Sequence, residues 1–173
     1  MNVTSQPEIA ANWINNNKII AYPTEGVWGI GGLYNETNIN KIASVKHRPI
    51  EKNFILLFKS TDQLIESFEV ENKYKKLIKN FENKFITVLI PLESGQKIAA
   101  RLPGYKPLKK FLEDIDQPII STSANISGEQ TCMNIEEIKS VFEGAIYGAL
   151  DIELGPENKP SRILDLEKNE FIR

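Results

Sequence analysis

A chain of 173 residues, 41% hydrophobic and 25% charged, is long enough for one substantial core and too short for two. No apolar run approaches the roughly 18 residues of a membrane span, and the first residues lack the basic-then-apolar pattern of a secretory leader. A single cysteine, Cys132, excludes an internal disulfide framework and suits a reducing, cytoplasmic setting, while one Cys and one His argue against a zinc site of the usual ligand types.

The net charge of −2 hides an asymmetry. Residues 41–110 hold 15 Lys/Arg against 7 Asp/Glu, a balance of +8, and residues 111–173 hold 5 against 13, a balance of −8. A concentrated positive segment attracts phosphates, whether of a nucleotide or of RNA. Solvated helix faces account for it equally well.

Ser5-Gln-Pro-Glu8 has the pattern of a helix start, with Ser5 as cap and an early proline. Ile9, Ala10, Trp13 and Ile14 then share a face, and the asparagines at 15–17 close the helix. Residues 18–22 read as a short buried strand. It runs into Pro23-Thr-Glu-Gly-Val-Trp-Gly-Ile-Gly-Gly32, with four glycines in seven positions. That spacing is neither a Walker loop nor a dinucleotide fingerprint; it predicts a backbone that turns sharply or approaches something closely, a structural turn being the first reading.

A helix over 38–46 turns Ile39, Ile42 and Ala43 inward and ends in Lys46-His-Arg-Pro49. Pro49 biases Arg48 toward extended geometry, so Lys46 and Arg48 can converge on one point beyond the helix. A compact charge beside a planar fork suits phosphate oxygens. The alternative is that both complement the helix C-terminal dipole.

Residues 53–58 read as a buried strand, 61–68 and 71–81 as helices, and 85–90 and 98–102 as strands. The last contains Arg101 inside an apolar run, where a charge needs a partner or a ligand. A helix opens at Pro107 and runs to about residue 114. Residues 118–121 form a strand that opens into Ser121-Thr-Ser-Ala-Asn-Ile-Ser-Gly128, where Gly128 lets the backbone turn. Hydroxyls and a carboxamide that both donate and accept suit a polyoxygenated ligand such as a nucleotide. A strand leaving the core into such a loop is where open α/β sheets place their ligands. A Ser/Asn turn capping the next element is the other reading. Asn134-Ile-Glu-Glu137 is a capping box for a helix to about residue 142. Short strands near 149–152, 162–166 and 171–172, with a turn at 167–169, finish the chain. Without repeats or linkers, one mixed α/β domain over 1–173 is the simplest account, and the uneven order of elements argues against a regular βα barrel.

Taken together, Ala21-Tyr-Pro-Thr-Glu-Gly-Val-Trp-Gly-Ile-Gly31, Lys46-His-Arg-Pro49, Ala99-Ala-Arg101, Ser121-Thr-Ser-Ala-Asn-Ile-Ser-Gly128 and Pro160-Ser161 stand in the order and at the spacing of the YrdC/TsaC family of threonylcarbamoyl-adenylate synthases. The chain resembles the short, single-domain bacterial form over nearly its whole length. The resemblance implies a twisted mixed sheet with flanking helices and a concave, positively charged surface. It also implies a reaction in which L-threonine, bicarbonate and ATP give L-threonylcarbamoyl-adenylate and diphosphate, which feeds the threonylcarbamoyl modification of tRNA adenosine beside the anticodon. The implied partners are those substrates and the proteins that transfer the threonylcarbamoyl group to tRNA, with direct tRNA binding left open and no membrane involved.

By the match, Lys46, Arg48, Ser123 and Asn125 are the catalytic set around the nucleotide, and Thr24, Arg101, Ser121 and Ser161 are substrate-binding. Lys46 and Arg48 are expected to hold the phosphates, Ser123 and Asn125 to fix the α-phosphate region, and Arg101 to pair with the threonine carboxylate. ATP enters as substrate, Mg²⁺ rides mainly on its oxygens, and no tightly bound protein-ligated metal is expected.

Two departures carry expectations of their own. Phe81-Glu-Asn-Lys84 replaces the Trp-Pro-Gly-Pro-like turn of the family, which predicts a more mobile loop and leaves substrate contact through it open. Gly26 and Trp28 replace the commoner Thr or Ala and Tyr or Phe, and a bulky Trp28 would tighten the amino-acid pocket. Cys132 reads as an inert small side chain and His47 as a solvent-facing imidazole. Two other functions stand beside this one. One is a non-catalytic RNA-binding module, favoured by the positive segment but lacking the aromatic pair of an RNA-recognition sheet. The other is a same-fold enzyme acting on a different carbamoyl or adenylyl compound.

Overall fold

The computed structural model describes residues 1–49 and 54–173. In chain order its elements are β1 (Asn2–Thr4), α1 (Pro7–Asn15), β2 (Ile20–Pro23), β3 (Trp28–Gly31), α2 (Glu36–Val45), β4 (Ile55–Leu57), α3 (Thr61–Ser67), α4 (Asn72–Ile78), a 3₁₀ turn (Lys79–Phe81), β5 (Ile86–Pro91), β6 (Lys97–Arg101), α5 (Lys106–Glu113), β7 (Ile119–Ser123), α6 (Ile135–Phe142), β8 (Gly148–Leu150), β9 (Arg162–Asp165) and β10 (Glu170–Phe171). The strands join in one sheet, in the order β1-β8-β2-β3-β7-β4-β6-β5-β9-β10. It is mixed: β2 and β3 are an antiparallel hairpin, β7 lies antiparallel between β3 and β4, and β4 runs parallel to β6.

Strand alternation divides the apolar residues between two cores. Ile19, Ala21, Ile30, Leu56, Phe58 and Ile120 pack on one face with Ile42 of α2, Leu64 of α3, Ile78 of α4 and Phe142 of α6. Ile20, Tyr22, Leu57 and Ile119 point to the other face, where Ala10, Ala11 and Ile14 of α1 and Leu108, Phe111 and Leu112 of α5 cover them. A buried Leu or Phe contributes roughly 1.5–3 kcal/mol, so this second layer is well fixed even though it rests on two helices.

The structure corrects the expected elements at several points. The glycine-rich stretch turns at its start, where residues 24–27 close the β2–β3 hairpin with the Thr24 N–H on the Val27 carbonyl at 3.2 Å; residues 28–31 then form β3, and none of Gly26, Gly29, Gly31 or Gly32 has positive φ. Close approach is the other use of its glycines. A Cβ on Gly31 would lie 1.9 Å from the Ile120 carbonyl oxygen and 2.5 Å from the Tyr22 hydroxyl. The cap of α1 is Gln6, without a side-chain hydrogen bond, and Ser5 is not the cap; Thr4 Oγ1 accepts from the Gln6 N–H at 3.1 Å. Ala11 takes the buried place expected of Ile9, which is exposed, because α1 packs against α5 as well as the sheet. β1 has no apolar signal in the sequence, being a short strand with two polar residues that pairs parallel to β8 at the sheet edge. Asn53, expected to begin a strand, lies outside the described residues. The turn over 81–84 is fastened at three points. The Asn83 N–H donates to the Leu102 carbonyl at 3.0 Å, Lys109 Nζ to Asn83 Oδ1 at 2.8 Å, and the Thr61 N–H to Glu82 Oε1 at 3.1 Å.

A cation-lined cavity at a hydroxyl-rich loop

The cavity begins where α1 and α5 stop covering their face. Two residues beyond Ile119 on β7 comes Ser121, and then Ser123; two residues from Leu57 on β4 comes Ile55; two from Arg101 on β6 comes Ala99. All share the face of the covered apolar residues. Register places Gly29 beside Ser123, Ser121 beside Ile55, Ile55 beside Ala99, and Ala99 beside Leu89, across five adjacent strands. Gly29, Ser121, Ser123 and Ala99, the small members of that row, leave a hollow of about 320 Å³ over Ile55 and Leu89, walled by Thr24, Val27, Arg48, Phe85, Thr122, Lys159, Ser161 and Arg173 among others. Among the described residues its lining carries four basic side chains, Arg48, Arg101, Lys159 and Arg173, and no Asp or Glu side chain. That balance suits an anion.

Lys46 ends α2 and is buried, with Nζ turned into the 121–128 loop. It donates to the carbonyl oxygens of Ser123 and Asn125, the second at 2.6 Å, and to Asn125 Oδ1 at 3.1 Å. Ser123 Oγ donates to the same Oδ1 at 2.6 Å, and Asn125 Nδ2 reaches the Ile126 and Glu129 carbonyls at 2.9 Å each. The Ser127 N–H returns to the Lys46 carbonyl at 2.9 Å. The pair leaving α2 and the hydroxyl-rich loop therefore stand on one side of the sheet. Their placements differ. Arg48 and Ser123 line the cavity, whereas Lys46 and Asn125 stand behind its wall and lock the loop. Burial, followed by the neighbouring Arg48 charge, pulls the Lys46 pKa down to about 8. Burial also lowers that of Arg48, whose guanidinium lies 4.7 Å from the Phe54 ring and whose Nη1 donates to Thr122 Oγ1 at 3.4 Å.

Of the substrate-binding candidates, Thr24, Arg101, Ser121 and Ser161 all line the cavity. Thr24 Oγ1 donates to the Val27 carbonyl at 2.8 Å and shapes the loop between β2 and β3. Ser161 Oγ and Thr87 Oγ1 are 2.7 Å apart. Arg101 pairs with Glu25, both buried. Glu25 was missed in the sequence, although an arginine inside an apolar run asks for a carboxylate and Glu25 sits within the glycine motif. Thr122 belongs to the hydroxyl cluster already read in the sequence; Lys159 and Arg173 were missed, Lys159 adjoining the Pro160-Ser161 signal while nothing in the sequence marks Arg173. Trp28 does not tighten the pocket. Alternation points Val27 and Gly29 at the cavity and turns Trp28 into the opposite core, where it is 3% exposed. His47 is exposed and Cys132 is buried, with burial raising the thiol pKa.

Gly26 instead shapes the wall. A Cβ there would lie 1.8 Å from the Lys159 carbonyl oxygen. Gly26→Ala is expected to push the 155–161 segment off the loop between β2 and β3, widening the cavity and costing about 1–3 kcal/mol as overpacking does. Thermal unfolding and a crystal structure of the variant check this; an unmoved Lys159 would refute it.

An open mixed sheet with a basic hollow at the exit of a polar strand–loop defines an α/β protein with a cation-lined cavity. Comparison with known proteins gives the family. The profile of the Sua5/YciO/YrdC family, described as telomere recombination, matches residues 12–173, and the chain belongs to that family. Threonylcarbamoyl-AMP synthase of Haemophilus influenzae strain PittEE is 31% identical over 96% of this chain and 97% of its own length. The enzyme of the same name from Histophilus somni is 29% identical over 92% and 94%. Among solved structures, P. abyssi Sua5 complexed with L-threonine superposes with a TM-score of 0.81 at 28% identity. That match covers 93% of this chain but only 51% of the Sua5 chain, so the present chain spans about half of it. E. coli YciO, at 22% identity and a TM-score of 0.79 over 99% of this chain and 92% of its own, shares the fold.

Proposed function

We propose that the chain is an L-threonylcarbamoyl-AMP synthase, a nucleotidyltransferase that joins L-threonine, bicarbonate and ATP. The observation that carries this reading is the 121–128 loop locked by Lys46 beside a cavity whose lining is cationic. The threonine amine takes up carbon dioxide, forming an N–C bond and losing a proton. A carbamate oxygen then forms a bond to the α-phosphorus while the bond to the bridging oxygen breaks and diphosphate leaves. The attacking group is already anionic, so no protein nucleophile is needed; what the chain supplies is position and charge.

Arg48, Lys159 and Arg173 face the phosphates in this reading, Ser123 bonds the α-phosphate region, and Lys46 and Asn125 keep Ser123 in place. Arg101 receives the amino-acid carboxylate, with Thr24, Ser121 and Ser161 around it. A volume of about 320 Å³ is at the small end of ligand sites, enough for threonine and the reacting phosphate, with the rest of the nucleotide across the mouth. Among the described residues no three His, Cys, Asp or Glu side chains stand together as a metal cage. In this reading Mg²⁺ would be bound by the triphosphate oxygens, where it would neutralise their charge. The product would be consumed in the cytoplasm by proteins that transfer the threonylcarbamoyl group to tRNA.

Diphosphate release measured with each substrate omitted in turn tests the reading. It is expected only when threonine, bicarbonate and ATP are all present. Release that ignores threonine would point to another carbamoyl or adenylyl substrate, and no release alongside RNA binding would point to a binding module.

A further inference from the structure

We infer that Glu25 is a positioning residue for this reaction, holding Arg101 so that one edge of its guanidinium stays open to the amino-acid carboxylate; the inference rests on the function proposed above. The two Glu25 oxygens are committed in different directions. Oε2 accepts from Arg101 Nη2, and Oε1 accepts from the Gly104 N–H at 3.2 Å. Gly104 follows Arg101 by three residues, so the carboxylate ties the exit of β6 back to its own arginine.

The loop that carries Glu25 is fixed from behind. Its carbonyl accepts from the Glu157 N–H at 2.9 Å, and the Gly155 N–H donates to the Thr24 carbonyl at 2.9 Å. A Cβ on Gly155 would stand 2.4 Å from Glu25 Cα, so the two segments pack without a gap. The carboxylate has nowhere to withdraw. On the other side, the Phe85 ring lies 4.9 Å from the guanidinium carbon and closes one flat face.

What remains of Arg101 is directed at the cavity it lines. Its Nε is buried and, among the described residues, has no hydrogen-bond partner. A buried guanidinium N–H without an acceptor is costly, and its place in a cavity wall is explained by a ligand that completes it. A carboxylate fits, since it can accept from Nε–H and a neighbouring N–H together. Only an acceptor-only group with two oxygens serves both Nη2–H and the Gly104 N–H at position 25. A glutamine there would set its NH₂ against one of the two donors and let the arginine turn.

Glu25→Gln and Glu25→Asp, each checked for folding by thermal melt, are to be assayed for the KM of threonine and of ATP, with threonine binding measured directly by calorimetry. Glu25→Gln is expected to raise the threonine Kd and KM at least about tenfold, with the ATP KM changed less than about twofold. Glu25→Asp, which keeps the charge but is one methylene short, is expected to shift threonine in the same sense. The double variant Glu25→Gln/Arg101→Lys should be no worse toward threonine than Arg101→Lys alone, because Glu25 acts through the arginine. Equal loss for both substrates, effects that add in the double variant, or unchanged threonine binding by a folded Glu25→Gln protein would overturn the inference and leave the proposed function standing. If Glu25→Gln fails to fold, the Glu25→Asp shift decides by the same criteria. A wild-type protein that does not bind threonine would overturn both.

Discussion

Arg48→Ala is expected to lower kcat/KM for ATP by about 10²–10³-fold, the usual loss when a preorganised charge at a reacting centre is removed. The argument is positional. Arg48 sits where the chain leaves α2, half-buried in the cavity wall, its fork held over Phe54 and against the Thr122 hydroxyl. That hydroxyl lies on β7 between Ser121 and Ser123, so the guanidinium spans the segment proposed to hold the α-phosphate. As diphosphate leaves, negative charge gathers on oxygens that a planar fork meets in pairs. Arg48→Lys is expected to recover only part of the loss, because a compact ammonium supplies charge without the second directed N–H. Threonine binding in the absence of nucleotide should stay within a few fold of wild type. Steady-state kinetics of diphosphate release, with threonine calorimetry, separates these effects. An unchanged kcat/KM in Arg48→Ala would remove Arg48 from the reaction.

The second large effect concerns Lys46, where activity and stability are expected to move in opposite directions with pH. Burial and the Arg48 charge set its folded pKa near 8, against an ordinary value of 10.5. The unfolded chain thus holds this proton more tightly than the folded protein. The stability contribution of Lys46 is complete above the unfolded value and is lost as pH falls toward the folded one, so stability rises between about 8 and 10.5. The span corresponds to a change on the order of 3 kcal/mol. Function runs the other way. Nζ meets three oxygens, those of Ser123, Asn125 and the Asn125 side chain, and a neutral amine has two N–H donors for them. Ser123 then loosens, and activity is expected to fall as pH rises through about 8. Lys46→Arg, which stays charged over this range, should flatten that limb even if its plateau is lower. Lys46→Ala leaves the Asn125 carbonyl without its Nζ donor, while the Ser123 carbonyl keeps the Asn125 N–H and Asn125 Oδ1 keeps the Ser123 hydroxyl, and should cost about 1–3 kcal/mol together with most of the activity. A wild-type profile flat from pH 7 to 10 would contradict the positioning role.

Much of the site could be read from the chain because its residue types are informative by themselves. A cluster of hydroxyls ending an apolar strand, two cations before a proline, and an arginine in an apolar run each name a chemistry without coordinates. Which atom does what could not be read, since it depends on long-range closure. Lys46 and Ser123 are 77 positions apart, and only the fold decides whether the ammonium faces the ligand or the loop. The same applies to Glu25 and Arg101, separated by 76 positions. The core helices and most strands follow apolar periodicity. β3 does not, because Gly31 is required by the Ile120 carbonyl packed against it and, with Gly29, masks the strand pattern. Neither does β1, which hydrogen-bonds at a polar edge with little to bury. The Trp28 expectation failed for a related reason. Once residues 28–31 are a strand, alternation alone sends the indole to the face opposite the cavity.

The most direct measurement is to incubate the protein with ATP, L-threonine and ¹³C-bicarbonate and follow the mixture by ¹³C and ³¹P NMR. The account predicts a ¹³C resonance of a carbamoyl carbon bonded to threonine nitrogen and coupled through oxygen to an adenylate phosphorus, formed in step with free diphosphate. ATP consumed without ¹³C entering an adenylate, or no turnover by protein shown to bind both threonine and ATP, would contradict it.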